Sequence, residues 1–209
     1  MLPSIVQPCI VLRSLTRTIK TMTIRRRLPT LIALSGLPGV GKTTLARHLS
    51  TEIDAVHVRV DTIEAALTSS GIVDLAGGWA AVPDAGYRVA YAITLDHLTA
   101  GHSVVADSVN PLAVTREAWA RCARTGRADL VNVEVVCSDR ALHRRRVEAR
   151  TSDLEGLTVP TWQEIEERIY ESWAPPVLRI DTAAGTDQAA REVVAALAAA
   201  GDQSRCRRK

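Results

Sequence analysis

The run Thr30 to Ser35 (TLIALS) passes directly into Gly36, Leu37, Pro38, Gly39, Val40, Gly41, Lys42, Thr43 and Thr44, and a helical pattern then spans Lys42 to Thr51. A continuous apolar run is what a strand buried on both faces requires. The glycines let the backbone turn tightly with its N–H groups aimed inward. The stretch matches G-x-x-x-x-G-K-[ST] in full, with a strand before it and a helix after it, the context in which this spacing has a mechanism. Amides of residues 36–44 and the positive end of the following helix form a cradle for a polyphosphate. Lys42 is placed to bridge β- and γ-phosphates and the Thr43 hydroxyl to ligate Mg²⁺, so ATP and Mg²⁺ are the expected ligands. A glycine-rich turn that binds nothing would not need both flanking elements.

Beyond this point strands and helices alternate, the mark of a parallel α/β sheet. Strands are expected at Ala55 to Val60, Ser103 to Ala106, Leu130 to Cys137 and Val177 to Asp181. The second ends at Asp61 and the third at Asp107. Helices are expected at Thr62 to Thr68, Asp84 to Ala100, Thr115 to Arg124, Asp139 to Arg150 and Thr186 to Ala200. Another helix starts at Thr161, which forms a capping box with Glu164, and runs through Trp173 until Pro175-Pro176 ends it. Ser69 to Asp84 reads as irregular and Thr151 to Pro160 as a loop. Five strands with helices between them make one doubly wound domain over residues 28–201, its ligand at the carboxyl ends of the strands.

Composition removes several function classes. Aromatics are 3% with no Phe, which speaks against stacking platforms for single-stranded nucleic acid. Residues 1–27 hold six basic residues and no acid, so the rest of the chain has 20 basic against 23 acidic residues. A mildly acidic body argues against a surface that coats nucleic acid. Residues 1–27 read as a disordered extension or a start placed upstream of Met22, with a targeting signal as the other reading; residues 202–209 read as a basic tail. Cys9, Cys122, Cys137 and Cys206 form no C-x-x-C pair, which suits reduced thiols in a cytoplasmic protein. No uncharged apolar run is long enough to span a membrane.

Lysine occurs only at positions 20, 42 and 209, so the [NT]-K-x-D guanine reader of GTPases is missing. Asp74-Leu-Ala-Gly77 fits D-x-x-G but follows no apolar strand and reads as coincidence. The order of P-loop, Asp61, Asp107, an arginine-bearing helix and a late fifth strand resembles the P-loop nucleoside and small-molecule kinases. Within them it is most similar to zeta-toxin-like kinases, polynucleotide 5′-kinases, adenylylsulfate kinase and bacterial AAA family ATPase kinase-like proteins. The likeness spans about Leu31 to Ala183. It implies a three-layer P-loop fold, a five-stranded parallel sheet in the order 2-3-1-4-5 and a mobile helical lid over ATP.

Carried over by position, Asp61 matches the carboxylate that takes the acceptor hydroxyl's proton in several members. The alternative is a cap on the helix starting at Thr62. Asp107 matches the acid that holds Mg²⁺ through water or orients Thr43, or is a turn residue before Asn110-Pro111; the roles of Asp61 and Asp107 are interchangeable at this stage. In the arginine cluster 140, 144, 145, 146 and 150, Arg146 and Arg150 fall on one helix face and match the lid arginines that clamp phosphate. A solvated face paired with acids is the other reading. Arg116 and Arg88 are weaker substrate candidates, with Tyr87 and Trp79 near the acceptor, and the loop after Asp181 falls where the family packs adenine. His48, His57, His97 and His102 have no metal-ligand spacing and read as structural.

Two functions follow. One is an ATP- and Mg²⁺-dependent kinase acting on a hydroxyl of a small molecule or nucleotide, with Lys42, Asp61, Arg146 and Arg150 at the reaction. The other is an ATP-binding switch that hydrolyses slowly and acts through a protein partner. A polynucleotide 5′-kinase is a variant of the first, disfavoured by the acidic body.

Overall fold

The computed structural model describes residues 28–206 except 156–157 and 175, with no side-chain description from 200 onward; residues 1–27 lie outside this range, and the last helix runs past the expected end at Ala200 to Cys206, into the segment read as a tail. A five-stranded parallel sheet has the order β2-β3-β1-β4-β5, as the kinase resemblance implied. The strands are β1 Thr30–Ser35, β2 Val56–Arg59, β3 Val104–Asp107, β4 Asp129–Val136 and β5 Leu178–Asp181. Around them lie α1 Lys42–Glu52, α2 Val60–Ser69, α3 Ile72–Leu75, α4 Ala85–Thr99, α5 Ala113–Thr125, α6 Arg140–Glu148, α7 Trp162–Glu166 and α8 Thr186–Cys206. Among the described residues no helix is long and apolar enough to cross a membrane.

Because successive strand residues point to opposite faces, β1 supplies two cores at once. Ile32 and Leu34 pack with Leu45 and Leu49 of α1 and Val193 of α8. Leu31 and Ala33 pack on the other side with Ala90 and Leu98 of α4 and Trp119 of α5. With no Phe available, Trp119 is the largest fully buried side chain, and Tyr91 meets it edge-on at 4.5 Å. Cys122 is buried and Cys137 half-buried, both as free thiols.

Several expectations need correction. The strand expected to reach Val60 stops at Arg59, where its ladder with β3 ends at the Arg59–Asp107 pair. Asp61 therefore lies in the first turn of α2, and its side chain caps nothing. The helix expected through Trp173 ends at Glu166, because the following backbone bonds elsewhere: Glu171 N–H donates to Pro111 O, and the carbonyls of Glu171 and Ser172 accept from Arg116. Helix α6 ends at Glu148, so Arg150 is not on a helical face with Arg146. The segment 69–84, expected to be irregular, contains short α3 between Gly71 and Gly77 and a 3₁₀ turn at Trp79–Ala81 after Gly78.

Candidate active site

The chain leaves β1 through Gly36 at φ 138°, where a Cβ would fall 2.2 Å from Val135 O, so only glycine lets the loop fold against β4. Gly39, at φ 84°, presses on α6, where a Cβ would lie 2.5 Å from Val147 Cγ2. His143, buried on α6, supports the loop from beneath with Nε2 2.8 Å from Pro38 O. On the other side the Thr182 hydroxyl donates to Val40 O at 2.6 Å. The cradle is thus held by β4, α6 and the loop after β5.

Lys42 opens α1, is 8% exposed, and donates from Nζ to Leu37 O at 2.9 Å. Burial pushes its pKa down to about 8; Asp107 and Asp61 partly offset this, while Arg150 and Arg168 add to it. Asp107, at the end of β3, is almost fully buried with Oδ2 3.3 Å from His57 Nε2. Burial works against its charge, yet the His57 contact, the Lys42 ammonium and the Thr43 hydroxyl outweigh it and hold the carboxyl below its ordinary range. A hydroxyl beside an ionised carboxylate is a hard-oxygen pair of the kind Mg²⁺ accepts alongside water and phosphate, so Thr43 and Asp107 fit that ion.

A cleft of about 1310 Å³ opens over the P-loop and continues between α2, α4 and α5. Gly39, Gly41, Lys42, Thr43, Asp61 and Asp107 all line it. So do Arg146, Arg150 and Arg88, whereas Arg116 and Trp79 are not among its lining. Asp61 Oδ2 stands 3.6 Å from Arg59 and 3.7 Å from Arg150. Arg146 instead spans to the loop after β5, donating to the hydroxyl and carbonyl of Thr182 at 3.0 and 3.1 Å. Arg140, Arg144 and Arg145 are exposed, and the first two pair with Glu166 and Glu148, which matches the solvated-face reading for that part of the cluster. Arg88 is exposed and bonds Asp84 at 2.8 Å.

Arg116 has a different task from the one the sequence suggested. It is buried and donates to the carbonyls of Asn110, Pro111, Glu171 and Ser172, with its guanidinium 4.2 Å from the Trp173 ring centre and 5.2 Å from that of Tyr170. It ties residues 167–173 to the loop after β3, and this strap carries Arg168 to the cleft. Because removing it leaves several carbonyls unpaired, Arg116→Ala is expected to destabilise the fold by about 2–4 kcal/mol in urea unfolding. Arg116→Lys should recover little, since an ammonium cannot reproduce the planar fork.

His57, Arg59, Glu64, Asp153 and Arg168 were not anticipated as site residues. His57 and Arg59 alternate on β2, so two polar groups on one face of an apolar strand were the available signal. Glu64 lies one turn beyond Asp61, also a readable spacing. Asp153 had none: it receives Arg59 bidentately at 2.8 and 2.9 Å and Arg47 at 3.0 Å, fastening the loop after α6 over the cleft. Those arginines, Arg59 foremost, hold its carboxyl far below the usual range.

The family model described as AAA domain matches residues 31–170. No curated protein matches the chain. Among solved structures, the APS kinase of Mycobacterium tuberculosis in complex with AMPPNP and APS is 21% identical, with a TM-score of 0.62 over 81% of this chain and 97% of that one. A gluconokinase from Sinorhizobium meliloti is 18% identical, with a TM-score of 0.60 over 87% and 99% of the two chains. Kti12 of Chaetomium thermophilum in complex with ADP-AlF3 is 22% identical, with a TM-score of 0.55 over 78% and 96%. At these identities the likeness is one of fold.

Proposed function

From a chain that belongs to the AAA domain family and has a P-loop kinase fold, we infer an ATP- and Mg²⁺-dependent phosphotransferase that acts on a hydroxyl of a small molecule or nucleotide. The observation that carries this reading is the size of the cleft. At about 1310 Å³ it exceeds the roughly 300–1,000 Å³ of a typical single-ligand site. It runs past the P-loop to a half lined by Asp61, Glu64, Tyr87 and Tyr91, where a second molecule has room.

The P-loop amides and Lys42 bind the triphosphate and orient its γ-phosphorus toward Asp61. Thr43, with Asp107 behind it, would hold Mg²⁺, which supplies charge neutralisation at the β- and γ-phosphate oxygens. Asp61 takes the proton of the acceptor hydroxyl as that oxygen bonds the γ-phosphorus and the bond to the β,γ-bridging oxygen breaks, ADP leaving with the electron pair. Arg150, already beside Asp61, and Arg146, at the Thr182 side, face the charge that spreads over the phosphoryl oxygens. Asp153, fastened over the cleft by Arg59 and Arg47, helps shield this site from water, which would otherwise compete as acceptor.

Incubation with γ-labelled ATP, magnesium and a panel of hydroxyl metabolites tests the reading, and label is expected on an organic product. Slow release of label solely as free phosphate would assign the chain to the switch class instead. A labelled 5′-hydroxyl oligonucleotide would point to polynucleotide substrates.

A further inference from the structure

The half of the cleft away from the P-loop has a consistent chemistry. Asp61 and Glu64 are three residues apart on α2 and so share a helix face, and both line the cavity. Helix α4 fixes Glu64 by close approach: at Gly86 a Cβ would fall 2.4 Å from Glu64 Cγ and 2.8 Å from Oε1. Tyr87, one residue on, turns its hydroxyl to accept from Asn110 N–H at 3.0 Å, and burial pushes its pKa up to about 12, so it stays neutral. Apolar contact surface comes from Pro83, Tyr91, Leu112 and Val114.

Around the reacting end Arg59, Arg150 and Arg168 stand among Asp61 and Glu64, so charges of both signs are interleaved there. Arg88 and Arg121, at the outer end, have Asp84 and Glu117 beside them. An acceptor carboxylate or phosphate would meet Asp61 and Glu64 at the reacting end. An ammonium would meet Arg150, 3.7 Å from Asp61, and Arg168, whose charge acts on both Glu64 and Lys42. Paired oxygen acceptors flanked by an apolar wall suit a molecule with hydroxyls on one edge and C–H surface on its faces.

We propose that the acceptor is an uncharged polyhydroxylated molecule of the sugar or polyol class, and that Glu64 binds a second hydroxyl of it while Asp61 takes the proton of the first. This rests on the phosphotransferase reading above. Burial, with the charge of Asp61 adding and Arg168 opposing, raises the Glu64 pKa to about 7, so near neutrality its carboxyl can accept from or donate to a hydroxyl.

The full-length protein is incubated with γ-labelled ATP, magnesium and two sets of acceptors: myo-inositol, glucose and methyl glucoside, against gluconate, glucose 6-phosphate and AMP. Label is expected on at least one of the neutral set and on none of the anions. With the labelled polyol, Glu64→Gln should raise the acceptor KM severalfold, up to about tenfold, while kcat falls less, since a charge-assisted hydrogen bond is exchanged for a neutral amide one. The variant's calorimetric affinity for ATP serves as its measure of folding. Label confined to the anionic set overturns the proposal and leaves the phosphotransferase reading standing. An unchanged KM in Glu64→Gln overturns the role of Glu64. Label on neither set, with ATP bound, overturns the proposal, and label released solely as free phosphate across the wider panel as well removes the reading beneath it.

Discussion

Lys42→Ala is expected to leave a folded protein with no calorimetric response to ATP and magnesium and no turnover. The ammonium is buried in the P-loop against Leu37 O, so the truncation removes a desolvated charge at the phosphate cradle. Removing one partner of a buried charge pair costs about 2–5 kcal/mol or more, which takes a micromolar site beyond ordinary titration. The fold should not suffer. Burial lowers the lysine pKa to about 8 from 10.5, which means that holding the charged form costs the folded state free energy. Alanine relieves that cost but also takes a compensating charge from buried Asp107, so thermal unfolding should occur at close to the same temperature. The sign for ligand binding is the opposite one. The triphosphate requires the ammonium, so ATP affinity in the native protein should be flat below about pH 8 and fall above it, by at most tenfold per pH unit. A P-loop that bound ATP equally well without Lys42 would remove the basis for assigning the nucleotide to this site.

The parts of this molecule that were legible in its sequence are those set by neighbours in the chain. Strand β1, the glycine loop and α1 follow from one unbroken stretch, residues 30–52, and the loop's geometry matches because Gly36 and Gly39 stand where no Cβ fits. The capping box at Thr161 and Glu164 is present for the same local reason. What was misread depends on distant partners. Nothing between Glu166 and Trp173 announces that Arg116, more than fifty residues earlier, takes two of its carbonyls and ends the helix. In the sequence Arg116 is only a weak substrate candidate, with a surface arginine nearly as good a reading, since a lone arginine after Asn110-Pro111 carries no sign of whether it points out or in. The sheet order came from resemblance alone, because alternation of strands and helices does not fix which strand lies in the middle. The acceptor half of the cleft is assembled from α2, α4, α5 and the strap, so no one stretch displays it.

Asp61→Asn carries the second large effect: turnover about 10²-fold lower or less still, with ATP affinity kept. The amide has the shape of the carboxylate and lacks only its charge and basicity. Arg59 keeps its two bonds to Asp153 after the change, so the lid fastening survives. Arg150 loses the carboxylate at 3.7 Å and is released toward phosphate, so ATP affinity should hold or rise slightly. Single-turnover measurements with saturating ATP isolate the chemical step from release, and there the full loss should appear. Asp107 is the rival base, and its surroundings argue for another role. Its carboxylate lines the cleft but is only 3% exposed, contacts His57 and sits beside Lys42 and Thr43, which suits a metal-side role better than meeting an acceptor hydroxyl. Asp107→Asn should therefore weaken the magnesium dependence of ATP binding, where Asp61→Asn does not. Normal single-turnover rates in Asp61→Asn, together with a lost chemical step in Asp107→Asn, would transfer the base to β3 and reverse the two assignments.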